Sequence, residues 1–344
     1  MDPVSTSFLY SIPLDAVTSV EKQLADAETE STTGYVANPA ESLGSQYGLD
    51  LKLQAEVSTL TNWQSANTIV QSQLTASQNV LSSISSDAQN FQNDLLGAVG
   101  SGDVSTLQTE AQSFLSSLVS DLNTTAGGSY LFGGTNNTVA PMADDSAAAQ
   151  QATADAFQTA FGVAISGAGA SSITATDMQA FLTGPFASLF TGSNWTTNWS
   201  SASSTPTSAL IAPGQTVTTS ATANDTPFQE LVSAYVSVSD LGLSSLNSST
   251  QTAVLNNAVS LVGSALQGIT NSQSTLGISQ SQITSVNSQM QTQSTFVTNW
   301  INQLAGVNAY QAASDLTNLT TQLETAYSLT DRISKLGLVN YLST

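Results

Sequence analysis

The sequence predicts a mainly α protein with an inserted β-leaning domain, in which long coiled-coil-like helices from the N- and C-terminal arms pack together. Three observations predict it. Apolar residues recur every seven positions in both arms, and five of the eight prolines (Pro141, Pro185, Pro206, Pro213 and Pro227) fall in one middle segment. That segment also shifts in composition towards Ala, Thr, Ser and Gly. A period of seven is the mark of helices packed along a shared seam, because 3.5 residues per turn keeps one stripe facing the partner.

In the first arm, sevens counted from Leu53 give Leu60, Asn67, Leu74, Leu81, Ala88 and Leu95. A parallel column holds Trp63, Val70, Ser77, Ile84, Phe91 and Ala98. Each column carries one polar interruption, and a buried Asn in such a seam can fix register at a cost in stability. Leu107, Ala111, Phe114, Leu115, Leu118 and Leu122 form the apolar face of a further helix, expected to stop at Gly127-Gly128. The middle segment, about 140–227, holds glycines alternating with stretches such as Thr216-Val217-Thr218-Thr219, a β-leaning composition.

In the second arm, Leu255, Val259, Val262, Leu266 and Ile269 lead into a column of sevens: Ile269, Leu276, Ile283, Met290, Val297 and Leu304. Val286 and Trp300 belong to a second column three positions on. Five such steps span roughly 50 Å of helix. Near the end, Leu316, Leu319, Leu323, Tyr327, Ile333 and Leu336 lie close to one stripe. The expected organisation is therefore a terminal helical domain (1–50 with 305–344), a helical core (51–139 with 228–304) and an outward-facing insert (140–227). The seam columns serve either as core within one chain or as contacts between copies. The terminal stripe is expected to meet a neighbouring copy, since a lone tail has little else to bury against.

Charge and missing residue types close off most chemistry. The chain carries 24 acidic and four basic residues and neither His nor Cys, for a net charge of −20. The four cations are Lys22, Lys52, Arg332 and Lys335, so none lies between 53 and 331. No imidazole base, thiol nucleophile, zinc-binding Cys set or phosphate-binding lysine motif is present, and no basic stripe exists for nucleic acid or an anionic membrane. The expectation is no enzyme, no catalytic residue, no cofactor and no metal. Asp144-Asp145 and Glu28 with Glu30 are carboxylate pairs by sequence only and read as solvated acids rather than a glycosidase pair. Trp195 and Trp199 read as packing within the insert, with an exposed sugar platform as the other option.

No positive segment followed by an apolar run opens the chain, so no cleavable signal peptide is expected, and no run reaches ~18 apolar residues. From Leu241 to Ser314 there is no charged side chain at all. Ser, Thr, Asn and Gln occupy the outer face there, either simply solvated or covered by neighbouring copies, where neutral groups avoid the desolvation cost of ions.

Several segments resemble the flagellin superfamily. Leu24 to Glu28 and Thr33-Gly34-Tyr35-Val36-Ala37-Asn38-Pro39 are similar to its first helix and the turn after it, with Tyr35 where a basic residue is usual. Residues 49–97 resemble its long first helix, and Gly128 to Thr135 followed by Pro141-Met142 resembles its aromatic-glycine segment. Gly277-Ile278-Ser279-Gln280 to Ile283 is similar to the start of its C-terminal long helix. Leu323 to Tyr327 and Ile333 to Leu342 resemble the ending of the branch that joins hook to filament. The resemblance implies a structural subunit of the bacterial flagellum, self-assembling at the hook–filament junction and exported without a cleavable signal. Its implied partners are copies of itself, the neighbouring hook-side and filament-side axial proteins, and an export chaperone. Two other readings stay open: a filament-forming flagellin, and a secreted adhesin acting through the insert.

Overall fold

The computed structural model describes residues 6–143 and 146–342, with the side chains of 6–13, 146, 333, 334 and 336–342 excepted. Met1 to Val4, Asp144, Asp145 and the side chains of Ile333 and Leu336 thus lie outside the described residues. The fold is mainly α with a small strand-containing insert, and long helices of the two arms pack together. It divides into two compact units, residues 1–62 with 288–344, and residues 63–287.

In chain order the helices are α1 (Thr6–Thr33), α2 (Pro39–Leu43), α3 (Tyr47–Ser101), α4 (Leu107–Leu122), α5 (Ser146–Phe161) and α6 (Ala175–Phe181). They continue with α7 (Gly192–Asn198), α8 (Thr226–Asp240), α9 (Ser248–Ala305) and α10 (Ala309–Leu342). Short 3-10 and π turns link several of these helices, and two antiparallel hairpins are formed by β1 (Thr125–Ala126) with β2 (Ser129–Tyr130), and by β3 (Ser208–Ala212) with β4 (Gln215–Thr218). Gly127 and Gly128 are not the stop of α4, which ends at Leu122. They are the two-residue loop of the first hairpin, both at positive φ (61° and 84°), as a loop matching strand twist requires.

Within the second unit, α3 and α9 run antiparallel, held by a repeated polar contact. Gln64, Gln78 and Gln92 of α3 donate their side-chain amides to the backbone carbonyls of Asn287, Gln273 and Val259 at 3.3, 2.7 and 3.4 Å. Donors and acceptors both step by two heptads, in opposite directions. This register sets Leu74 at the level of Leu276, and Leu81 at that of Ile269; all four are buried. Gly277 and Gly263 sit where the amides of Gln78 and Gln92 approach α9, and a Cβ at Gly263 would stand 3.4 Å from the Gln92 amide. Asn67, fully buried, donates to the Asn287 side chain at 2.8 Å and to the carbonyl of Ile211 in β3 at 3.0 Å. It therefore fixes both the helix pair and the hairpin of the insert.

The outer face of α9 is neutral, and its hydroxyls are largely satisfied by the helix itself. Thr270, Ser274, Thr275 and Thr292 each donate to the carbonyl four residues back, at 2.8–3.0 Å. A charge-free surface is thereby compatible with a 58-residue helix.

α8 is the central helix of this unit, buried from Leu231 to Ser239. Phe91 of α3, Phe114 of α4 and Tyr235 of α8 meet with ring centroids 4.9–6.1 Å apart. In the insert a continuous run of rings forms the core: Phe157, Phe161, Phe181, Phe186 and Phe190, then Trp199 and Trp195. Both tryptophans are buried, and Trp195 Nε1 donates to Asn224 Oδ1 at 2.9 Å, so they build the interior and form no exposed sugar platform. Among the described residues the insert holds the β3–β4 hairpin and an isolated bridge between Met142 and Ser200; its Ala-rich start is the helix α5.

Gly268 of α9 faces Pro227 in the first turn of α8, where an added Cβ would lie 2.3 Å from the ring Cγ. Gly268→Ala should destabilise the chain by about 1–3 kcal/mol through forced separation of the two helices. Thermal melting by circular dichroism checks this, and an unchanged or raised Tm would refute the close approach.

Candidate assembly surface

The first unit is built on two helix pairs. Leu53, Val297 and Ile301 form a buried cluster, with Tyr35, Val57 and Leu304 partly buried against it. The Tyr35 hydroxyl donates to Asn302 Oδ1 at 2.7 Å. Where the resembling turn carries a cation, this chain therefore places an aromatic anchor. Backbone bonds from Val36 N to the Ala305 carbonyl and from Val307 N to the Gly34 carbonyl, both 2.9 Å, clip the end of α1 to the α9–α10 junction. Gly306 is required there, because a Cβ would come within 2.3 Å of the Asn302 carbonyl oxygen.

From that clip α10 runs back along α1. Val17 and Ala27 are buried on α1, with Val20 and Leu24 half-buried between them; Ala312 is buried on α10, and Leu316, Leu319 and Leu323 are half-buried. Steps of three and four in both stripes give a narrow coiled-coil seam. Tyr327 of α10 also donates to Glu21 of α1. Within one chain Leu316, Leu319 and Leu323 of the terminal stripe thus lie along α1, half-covered.

The remaining sequence-predicted seam residues divide between the units. Leu60 and Met290, like Leu53 and Val297, are buried in the first unit, while Leu74, Leu81, Ile269, Leu276 and Ile283 are buried in the second. Leu304 is only half-buried. Trp300, expected on the seam with the buried Val286, is instead 41% exposed. The reason is a slip in phase: burial passes from Val297 to Ile301 and Ala305 in two steps of four, which rotates position 300 outward.

Charge is distributed unevenly. All four basic residues belong to the first unit, and the second carries acids alone. Among the described residues one ion pair forms, Lys335 with Asp331 at 2.6 Å, and it is solvent-exposed. Asp50, buried in the first turn of α3, accepts from Gln54 at 2.8 Å and sits at the favourable helix end for a carboxylate. Glu30 accepts from the backbone N–H of Ala37 and Asp26 from the Asn38 amide, so these acids shape the turn after α1. No group of three or more acids is placed to hold a metal among the described residues. No described helix is long and apolar enough to cross a membrane.

Long helices from both ends of the chain, paired antiparallel in each unit, define a two-armed helical architecture. The chain belongs to the flagellin family. Residues 4–137 match the bacterial flagellin N-terminal helical region, and residues 259–342 match the bacterial flagellin C-terminal helical region. Among solved structures it is similar to one described as a "putative flagellar hook-associated protein" from Vibrio parahaemolyticus, at 12% identity and a TM-score of 0.53. That likeness covers 77% of this chain and 99% of the other, and it is one of fold. No curated protein matches the chain. The protein is accordingly an exported structural component of the flagellum that associates with copies of itself and with other axial proteins.

Sequence reasoning missed the glutamine contacts, although Gln64, Gln71, Gln78 and Gln92 stand at multiples of seven and could have been read as a polar column beside the apolar one. It also missed the crowding of acids in the second unit. Burial, then Glu110, raises the pKa of Asp94; burial raises that of Asp121, with Asp87 adding to it and a Ser83 hydrogen bond opposing. Burial alone raises Glu230, and it outweighs a Ser239 hydrogen bond at Asp240. The Tyr235 phenol is pushed up by burial and by Asp87.

A carboxyl whose folded pKa lies above its unfolded one makes the native state hold protons more tightly. Stability then falls as pH rises through that window, and is recovered as pH drops towards the ordinary carboxylate range. The Tm should therefore be higher at about pH 5 than at about pH 8, and Asp121→Asn should raise the Tm at pH 8 while flattening the profile. A Tm that climbs with pH would contradict the assignment.

Proposed function

We propose that this subunit stands at the junction between hook and filament, exported without a cleavable signal and held before assembly by an export chaperone. The observation that carries the reading is the C-terminal segment, Leu323 to Leu342, which resembles the junction-protein ending and lies in α10. The structural neighbour described as hook-associated supports the same direction through its shared fold. The three-part organisation fits this role: terminal helices (1–50 with 305–344) for axial contacts, a helical core (51–139 with 228–304), and an insert (140–227) directed outward. In this reading Leu316, Leu319, Leu323, Ile333 and Leu336 contribute to contacts along the axis.

A filament-forming flagellin is the second reading, favoured by the matches to both flagellin helical regions. An adhesin acting through the insert has less support, since its tryptophan pair is interior. Electron microscopy of the purified chain, with deletion of its gene in the source bacterium, separates the readings. A junction subunit gives short or closed assemblies, and its loss leaves hooks bare of filament. Long filaments from the purified chain alone would instead establish a flagellin.

Copies at −20 repel one another, and salt shortens the range of that repulsion. Self-association, followed by sedimentation, should strengthen between roughly 0.05 and 0.5 M salt, where the Debye length falls from about 14 Å to about 4 Å. Weakening over that range would show that ion pairs, not apolar contacts, hold the copies together.

A further inference from the structure

We propose that a groove in the insert, between the end of α5, the segment 162–173 and α6, binds a small organic cation: an ammonium group carried on an apolar or aromatic body. The proposal is independent of where the subunit stands along the axis. The groove is open to solvent and has a volume of about 700 Å³, within the size range of small-molecule sites. Its lining lies entirely in the second unit.

The recess is apolar and held in shape by its surroundings. It is lined by Ile173 and Phe181, both buried, by Phe161 and Val163, half-buried, and by the exposed Pro185 of the π turn Leu182–Phe186. The rings of Phe161 and Phe181 stand 5.2 Å apart, and Phe157 packs on both at 4.8 and 5.8 Å. Ala160 and Ala180 are exposed on its lining and leave space that larger side chains would fill. The segment between the helices is pinned to the start of α9. Asn247 donates its side-chain amide to the carbonyls of Ser171 and Ile173 at 2.9 and 2.8 Å, and the Thr250 hydroxyl donates to that of Ile173 at 2.7 Å. Gly169 packs so closely on Val163 that an added Cβ would stand 2.7 Å from its Cγ1. A recess formed in advance loses little on ordering when a ligand enters.

Charge selects the occupant. Asp177 is the charged residue of the lining, and it shares one face of α6 with Ala180 and Phe181, three and four positions on. Its Oδ2 accepts from the Thr174 hydroxyl at 2.7 Å, while its backbone N–H donates to Thr174 Oγ1 at 3.1 Å, so the carboxylate is fixed beside the rings. The second unit contains no Lys or Arg to neutralise it. A unit carrying acids alone draws cations and repels anions. An ammonium is attracted by the carboxylate and by the ring faces, and its apolar body is covered by the same walls. A neutral ligand of the same shape gains the second contribution and forgoes the first.

The test uses the full chain with phenethylamine as the probe, and 3-phenylpropanoate and 2-phenylethanol as its anionic and neutral counterparts. Saturation-transfer NMR should give a Kd on the order of 1 mM for phenethylamine, weaker binding of the alcohol and none of the carboxylate. Asp177→Asn should weaken phenethylamine roughly fivefold, whereas Asp103→Asn, an exposed acid elsewhere in the second unit, should leave it unchanged. Ala180→Phe, which fills the recess from an exposed position, should abolish binding. In the wild type the ring protons of Phe161 and Phe181 should shift as the probe is added at constant pH, a readout that no folding defect in a variant can mimic. Equal binding of all three probes, no binding at about ten times the expected Kd, or binding untouched in a folded Ala180→Phe chain overturns the site. Unshifted rings with the probe bound overturn it too. Equal weakening by Asp103→Asn would show diffuse attraction to the net charge and overturns it as well.

Discussion

The register of α3 against α9 is the constraint on which the second unit depends. It is set by glutamine amides reaching the carbonyls of the opposite helix at intervals of two heptads. Apolar columns alone would permit a slip by one heptad, because Leu, Ile and Val offer similar shapes at every step. A side-chain amide bound to one specific carbonyl does not permit it without leaving a buried polar group unpaired. Gly263 and Gly277 lie beside two of those amides, where a Cβ would still stand at ordinary contact distance. Asn67 then ties the same register to the hairpin of the insert through Ile211.

The absence of charge on α9 acts with this seam. Hydroxyls that bond to their own helix lower the demand for water on the outer face, and glutamine occupies the flank that faces α3. The acids are placed elsewhere, and in the second unit they face burial and each other with no cation to relieve them. Such a subunit carries its solubility as net charge and concentrates its apolar opportunity on a few surfaces.

Much of this fold was legible in the sequence because a sevenfold period is a local property of a helix that packs along its length. The columns through Leu74 and Leu81, and through Ile269, Leu276 and Ile283, could be counted without knowing what they met. The phase slip at Val297–Ile301–Ala305 could not, since both phases place an apolar residue within one turn of the last, and Trp300 was accordingly placed on the wrong face. Gly127-Gly128 was ambiguous for a related reason: the same pair suits a helix stop or a two-residue hairpin loop, and the strand pairing across it decides. The insert's β3–β4 hairpin was hidden among Thr and Ser residues that also serve in helices. Its aromatic core joins residues from Phe157 to Trp199, and contacts at such separations leave no periodic mark.

The clip between Tyr35 and Gly306 has a consequence for the order in which the chain folds. The groups it joins are far apart in sequence, as the 267-residue separation of Tyr35 from its Asn302 partner shows. Hairpins and the α8–α9 region of the second unit can form from near neighbours, whereas the clip must wait for closure of nearly the whole chain. Once it forms, α1 and α10 become two strands of one short coiled coil whose own seam is narrow and half-covered. The two chain ends are thereby joined at one place, the backbone bonds and the Tyr35 anchor together, so the position of α1 along α10 is set by contacts that neither helix makes alone.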